Sequence, residues 1–516
     1  MSRIRMSLFF TVIWTIFFIL ATPRLNAEES EKSESLKIYG FAKADYKYAT
    51  GATTFFGTEG VRKPNFAKRA TESDDNSPRS AFQANQSRIG VNVEIGKKAS
   101  AIIETDFDNN PGVDNTAVGD YLRLRQANLT YKFTPSFEMF AGKKWDLFSP
   151  LVPKTYSVTS ILYGVGNVGW LRDQAGVHFR KKTGDSTYFG IQVAVGNVGK
   201  DGSIGPNNTV VHNKSPLGIM QIYYKKSMKF ELYLSGIGGK VLYKSADLES
   251  SNSLADPLQD INSQNPNENT LLMPAKVRAF AGGVSIGILY KFGDKLELTG
   301  EFQKGTNLGD LYALGISKMT AKTEAERLDD TVLGIIDTPE LNYIRNNMLW
   351  TDYQSTHETS GWICFGLKPN ATINFNLFFG ASKIDNPEYL SSAKGDLTLS
   401  GGASYPGDVK QSHLFGGNVS KNLSDSFMVY FEYNYLKTEY HESERTKGVI
   451  ANIASYNPYT GAVIMDVKNP IVKDAIQNTF PLVTFTENKY NLYTNDNRAD
   501  PIPRSHIFNF GVMLKF

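Results

Sequence analysis

Arg88, Arg123, Arg125, Lys143, Lys144, Lys154 and Arg172 are clustered in one stretch of the chain, interspersed with Glu104, Asp106, Asp146 and Asp173. Guanidinium forks match carboxylates and phosphates, and ammonium groups act as point charges on the same anions. Crowded into a narrow, partly desolvated passage, such groups enrich anions locally. This chemistry is one of selection and passage, with no bond made or broken. The same arginines have a second use, because pairing with Glu94, Glu104 and Asp106 would stiffen a wall. Arg88, Arg123, Arg125, Lys143, Lys144, Asp146, Lys154, Arg172, Glu104 and Asp106 are therefore the candidate residues of a pore constriction.

Catalytic patterns fail on context. Gly283-Val-Ser-Ile-Gly287 matches the nucleophile-elbow spacing around Ser285, but that chemistry needs a strand-to-helix turn, and here the match lies inside an alternating strand-like segment. Gly164-Val-Gly-Asn-Val-Gly169 has dinucleotide-fingerprint spacing without a surrounding βαβ unit. None of the six histidines stands in an HxxxH or HExxH arrangement. The lone Cys364 permits neither an internal disulfide nor a thiolate metal site. The sequence predicts no enzyme, no metal and no cofactor.

The elements that must carry these residues are strands. Period-two alternation recurs over 37–48, 86–96, 99–108, 121–133, 136–144, 173–182, 186–195, 218–226, 229–238, 280–291, 295–305, 361–369, 372–380, 411–420, 426–438 and 504–516. In 426–438, Phe427, Val429, Phe431, Tyr433 and Tyr435 alternate with Met428, Tyr430, Glu432 and Asn434. One segment conflicts: in 121–133, Arg123 and Arg125 share parity with Leu129, Tyr131 and Phe133, and a bulge near Gln126 would reconcile its two ends. Sixteen segments give fifteen connections, and tight turns alternate with long loops throughout. Short turns at one end and long loops at the other predict an all-β fold, a sixteen-stranded antiparallel transmembrane barrel over 37–516 with periplasmic turns and extracellular loops.

Composition agrees. Aromatics make up 12% of the 516 residues and glycine contributes 44, while mean hydropathy is only −0.30, too polar for a bundle of membrane helices. Residues 1–27 read as a secretory signal: Arg3 and Arg5, then the uncharged run Leu8 to Ala21, then Leu25-Asn-Ala27. The formal charge of +3 belongs to that signal, so the remainder carries 52 basic and 52 acidic residues and suggests no nucleic-acid partner. Residues 28–36 form a short leader before the first strand. At the other end His506, Phe508, Phe510, Val512, Leu514 and Phe516 share one face.

That aromatic terminal strand resembles the C-terminal signature of bacterial outer-membrane β-barrels. The resemblance implies an outer-membrane location, lipid as a neighbour, and a barrel-assembly machinery that recognises Phe516. The stretch Ala141-Gly-Lys-Lys-Trp-Asp-Leu-Phe-Ser-Pro150, with Ser87-Arg-Ile-Gly90 and Leu122-Arg-Leu-Arg125, is similar to the DcaP-like porins. Those proteins carry an N-terminal coiled-coil extension, in whose place this chain has only Glu28-Glu-Ser-Glu-Lys-Ser-Glu-Ser35. The likeness implies a homotrimer, passive diffusion of small hydrophilic solutes, and a preference for anions, dicarboxylates among them. It also implies that the apolar third loop, 145–172, folds inward as the constriction. The alternative is an adhesin or surface-binding barrel acting through its long loops. Lys318 to Leu328, in the sixth loop, reads as helical.

Overall fold

The computed structural model describes residues 34–51, 53, 66–67, 78–84, 87–108, 121–156, 162, 164–169, 171–197, 209–212, 216–227, 229–245, 276–311, 315–317, 319–323, 350–387, 409–440, 452–457, 462–466, 483–485 and 503–516. The expected signal, 1–27, lies outside them. Sixteen antiparallel strands close into a barrel: β1 Glu34–Ala49, β2 in two pieces (Arg79–Gln83 and Arg88–Ile95), β3 Ala99–Asp108, β4 Tyr121–Thr134, β5 Phe137–Trp145, β6 Leu171–Gly184, β7 Thr187–Gly196 and β8 Leu217–Lys226. The second half comprises β9 Phe230–Ser245, β10 Lys276–Phe292, β11 Leu296–Thr306, β12 His357–Leu367, β13 Ile373–Ile384, β14 Val409–Asn422, β15 Phe427–Tyr440 and β16 Arg504–Lys515. Each expected segment is one of these strands. Strand β1 begins at Glu34, within the stretch read as leader, because Glu34 to Phe41 pair with Ile95 to Arg88.

Consecutive strands pair throughout, and β16 closes on β1 from Phe41 opposite Lys515 to Ala49 opposite Ile507. Closure leaves no free edge, the condition for a sheet in hydrocarbon. The break in β2 is held by Ser87, whose hydroxyl accepts from the Lys43 amide at 2.9 Å and reaches the Ala84 carbonyl at 2.9 Å. The tight hairpins use left-handed backbone at Gly96 (φ 57°) and Gly293 (φ 68°), conformations that glycine adopts without steric cost. The expected bulge in β4 is present: Glu104 pairs with Gln126 and Thr105 with Leu124, so Arg125 is the extra residue. The slip turns Arg123 and Arg125 away from lipid while Leu122, Leu124 and Leu129 face it.

Alternation separates the two faces around the ring. Ile103, Leu129, Phe179, Leu234, Phe302, Phe379, Phe415 and Phe510 are exposed on the outside, forming an apolar belt too extensive for a face in water. Glu301, Gln303, Asn376, Asn418, Glu432 and Asn509 are buried on the inside. Aromatic contacts join neighbouring strands on the outer face, with Phe137 stacked on Phe179 at 4.6 Å and Phe230 edge-on to Tyr290 at 6.1 Å.

Two features beyond the barrel differ from expectation. Met319–Thr323 is a strand paired with Trp350–Ser355, not part of a helix, and residues 324–328 lie outside the described set. The cross-strand partner overrides the helical propensity of the segment. Strands β9 and β10 extend past the expected 229–238 and 280–291, pairing as far as Lys244 with Lys276.

The lipid-facing assignment is tested by Phe510→Arg. A charge near mid-depth should destabilise the barrel by about 2–4 kcal/mol, read as a lower urea midpoint in lipid vesicles. An unchanged midpoint would contradict the assigned face.

Candidate functional site

The site is the lumen, and what occupies it is the segment after β5. Apolar residues dominate this segment, so in water it would need a surface to cover it. Leu147, Phe148, Leu151, Leu162, Val165 and Val168 are buried, and they pack in two clusters against inward residues of the wall, including Ile219, Ile237, Trp362, Phe378 and Leu436. Polar bonds fix the path. Glu301, inside β11, accepts from the Leu151 amide at 2.8 Å, from Trp362 Nε1 at 3.2 Å, and from the Ser149 hydroxyl. Further along, the Tyr156 amide donates to Glu432 at 2.6 Å and its phenol bonds Ser420 at 2.9 Å. Its ring stacks on Tyr430 at 4.5 Å. Lys43, on β1, donates to the Tyr156 carbonyl at 2.5 Å and pairs with Asp45 at 3.2 Å.

The returning limb has equally close contacts. Gly164 and Gly166 have φ of 72° and 99°. The Gly166 amide donates to Ser382 at 2.8 Å, and a Cβ there would stand 2.0 Å from the Gly361 carbonyl oxygen. The fingerprint-like glycines thus let backbone approach backbone across the lumen. Among the described residues no βαβ unit surrounds them. Ser285 sits mid-strand in β10, inward and opposite Ser235, with no strand-to-helix turn.

The candidate basic residues divide into groups. Arg88, Arg123, Arg125, Glu104 and Asp106 form one network on β2, β3 and β4. Arg123 makes a bidentate pair with Asp106 at 2.9 and 2.7 Å, and Arg125 reaches Glu104 and Asp106, each at 3.0 Å. Arg88 lies 3.7 Å from Glu104, with its guanidinium over the Phe41 ring at 5.2 Å. Side-chain exposure is 1% for Arg125, 12% for Arg123 and 23% for Arg88, so Arg88 alone keeps a sizeable face toward the lumen. Glu94 stands apart at the turn end, 3.4 Å from the Ser35 hydroxyl.

Arg172 and Asp146 form a second group at the two roots of the inward segment, paired at 2.7 Å and both buried. Arg172 also donates to the Leu311 carbonyl at 2.8 Å. Lys144 lies over the Phe140 ring at 3.9 Å, and Lys143 is opposite Asp173 in the β5–β6 ladder. Lys154 is across the lumen, 2.5 Å from Glu297 and 39% exposed. Within the wall, His178 links Glu138 and Tyr223, each at 2.8 Å. Glu301, Glu432 and Tyr156 were not among the sequence candidates. The inward parity of Glu301, shared with Thr299 and Gln303, was the only signal, and nothing in it identifies a partner 150 residues away.

The arginine network is load on the fold as well as charge. Removing one partner of a buried pair leaves an uncompensated charge, at a cost of about 3–5 kcal/mol. Arg125→Gln should lower stability on that scale, measured by denaturant titration of the folded barrel, and a neutral result would place the network outside the structural core.

No protein-family model matches this sequence, and no curated protein sequence matches it either. Solved structures do. The outer membrane channel DcaP of Acinetobacter baumannii superposes with a TM-score of 0.52 at 12% identity, over 94% of this chain and 99% of that one. The anion-selective porin from Comamonas acidovorans gives 0.44 at 10% identity, over 94% and 100%. OmpF of Salmonella typhi in complex with daunomycin gives 0.41 at 11% identity, over 93% and 97%. With its closed ring of strands and its apolar outer belt, the chain has the fold of the outer-membrane porins, a sixteen-stranded antiparallel β-barrel.

Proposed function

We propose that the protein is a porin, a water-filled channel through which small hydrophilic solutes diffuse passively. One observation carries this reading: the segment after β5 crosses the lumen and bonds to the far wall at Glu301, Ser382, Ser420 and Glu432. A sixteen-stranded barrel encloses more space than wall side chains fill. An inward segment narrows that space to a passage, and 145–172 is the constriction loop. No cofactor enters this function. Assembly as a homotrimer in outer-membrane lipid follows from the same reading.

Selectivity favours anions. The wall network holds three guanidinium groups against two carboxylates, and Arg88, its most exposed cation, has among the described residues no ion pair closer than 3.7 Å. Fixed positive charge in a narrow passage raises the local anion concentration. Dicarboxylates are among the solutes this reading includes.

Planar-bilayer recordings test both claims. Discrete conductance steps and a reversal potential of anion-selective sign in a salt gradient are expected; a cation-selective sign would overturn the preference. Gly166→Val, which drives a side chain into the Gly361 carbonyl, should unseat the loop and raise single-channel conductance. Unchanged conductance in that variant would remove the loop from the constriction role.

A further inference from the structure

Between the inward segment and the tight turns lies a cavity of about 730 Å³. Five lysines line it: Lys154, Lys291, Lys295, Lys368 and Lys515, facing only Asp294 and Glu297. They come from separate elements, namely the inward segment, the β10–β11 hairpin, the β12–β13 hairpin and the end of β16. Lys154 is paired with Glu297. Among the described residues no carboxylate lies within ion-pair distance of Lys295, Lys368 or Lys515. Asn374 and Asn376 supply carboxamide groups on the same wall. On the β2–β4 wall two carboxylates offset two of the three arginines, so more of the uncompensated cations stand at this end.

We infer that this vestibule is a binding site for small polyvalent oxyanions, entered from the turn side of the barrel. The lysines line the cavity from four separate elements. A linear anion with several charged groups meets them in succession, and ammonium donors with rotatable bonds suit phosphate oxygens of varied orientation. The volume lies within the range of small-molecule sites. The inference rests on the channel reading for its sided access, and on the cavity alone for binding.

The test uses the folded full-length protein and sodium tripolyphosphate as probe. Calorimetric titration in detergent at physiological ionic strength should show saturable binding. In the K295Q/K368Q/K515Q variant the affinity should fall about tenfold or more. The K181Q/K226Q/K421Q variant removes equal charge from exposed lysines that share the lipid-facing parity of Phe179, Met220 and Phe415. It should bind like the parent. In bilayers, the probe should block current only when added on the turn side. Equal losses in both variants, or no saturable binding, overturn the site. Binding without conductance steps retains the site and overturns the channel reading. Conductance without binding does the reverse.

Discussion

Backbone amides in hydrocarbon have no water to bond with, and this constraint shapes everything else in the molecule. A sheet meets it only by closing, and here closure is made by β16 lying along β1 over nine register pairs. A ring of sixteen strands then has an inner circumference that its own side chains leave unfilled. The inward segment follows from that geometry: the wall presents Trp362, Phe378 and Leu436 inward, and the segment covers them with Leu151, Leu162 and Val165. Charge follows as well. Among the buried carboxylates, Glu301 and Glu432 find donors on the segment, Glu104 and Asp106 find arginines on the next strand, and Glu358 accepts from the Ile316 and Ser317 amides.

The architecture was legible in the sequence because a half-lipid, half-aqueous strand writes its environment into every second residue. Phe427, Val429 and Phe431 against Met428, Tyr430 and Glu432 fix the orientation of β15 without any knowledge of its neighbours. Even the irregularity in β4 was readable, since two arginines on the parity of Leu129 and Tyr131 have no other resolution than a slip, and the slip falls at Arg125. Strand ends were less so. Pairing carries β9 as far as Ser245, where alternation alone no longer signals a membrane face.

The site was legible only in part. Its charged residues could be named, but their partners are set by distances across the ring, to which periodicity is blind. Arg123 and Arg125 read either as selectivity groups or as partners of Glu94, Glu104 and Asp106, and the fold joins them to Asp106 and Glu104 but leaves Glu94 apart. Glu301 and Glu432 read as ordinary lumen polarity, and they turn out to hold the inward segment. The stretch from Lys318 fails for a related reason: its composition favours a helix, and a partner strand at Trp350–Ser355 decides otherwise.

The seating of Tyr156 has a consequence for how the barrel matures. Its bonds to Glu432 and Ser420 span 276 and 264 residues of sequence. Loop-closure entropy penalises contacts of such separation until intervening chain is ordered. Strands β14 and β15 must therefore be in the ring before Tyr156 can seat, whereas Leu151 needs only Glu301 on β11. The seating of Tyr156 is thus a late step in assembly, one that waits on nearly the whole wall.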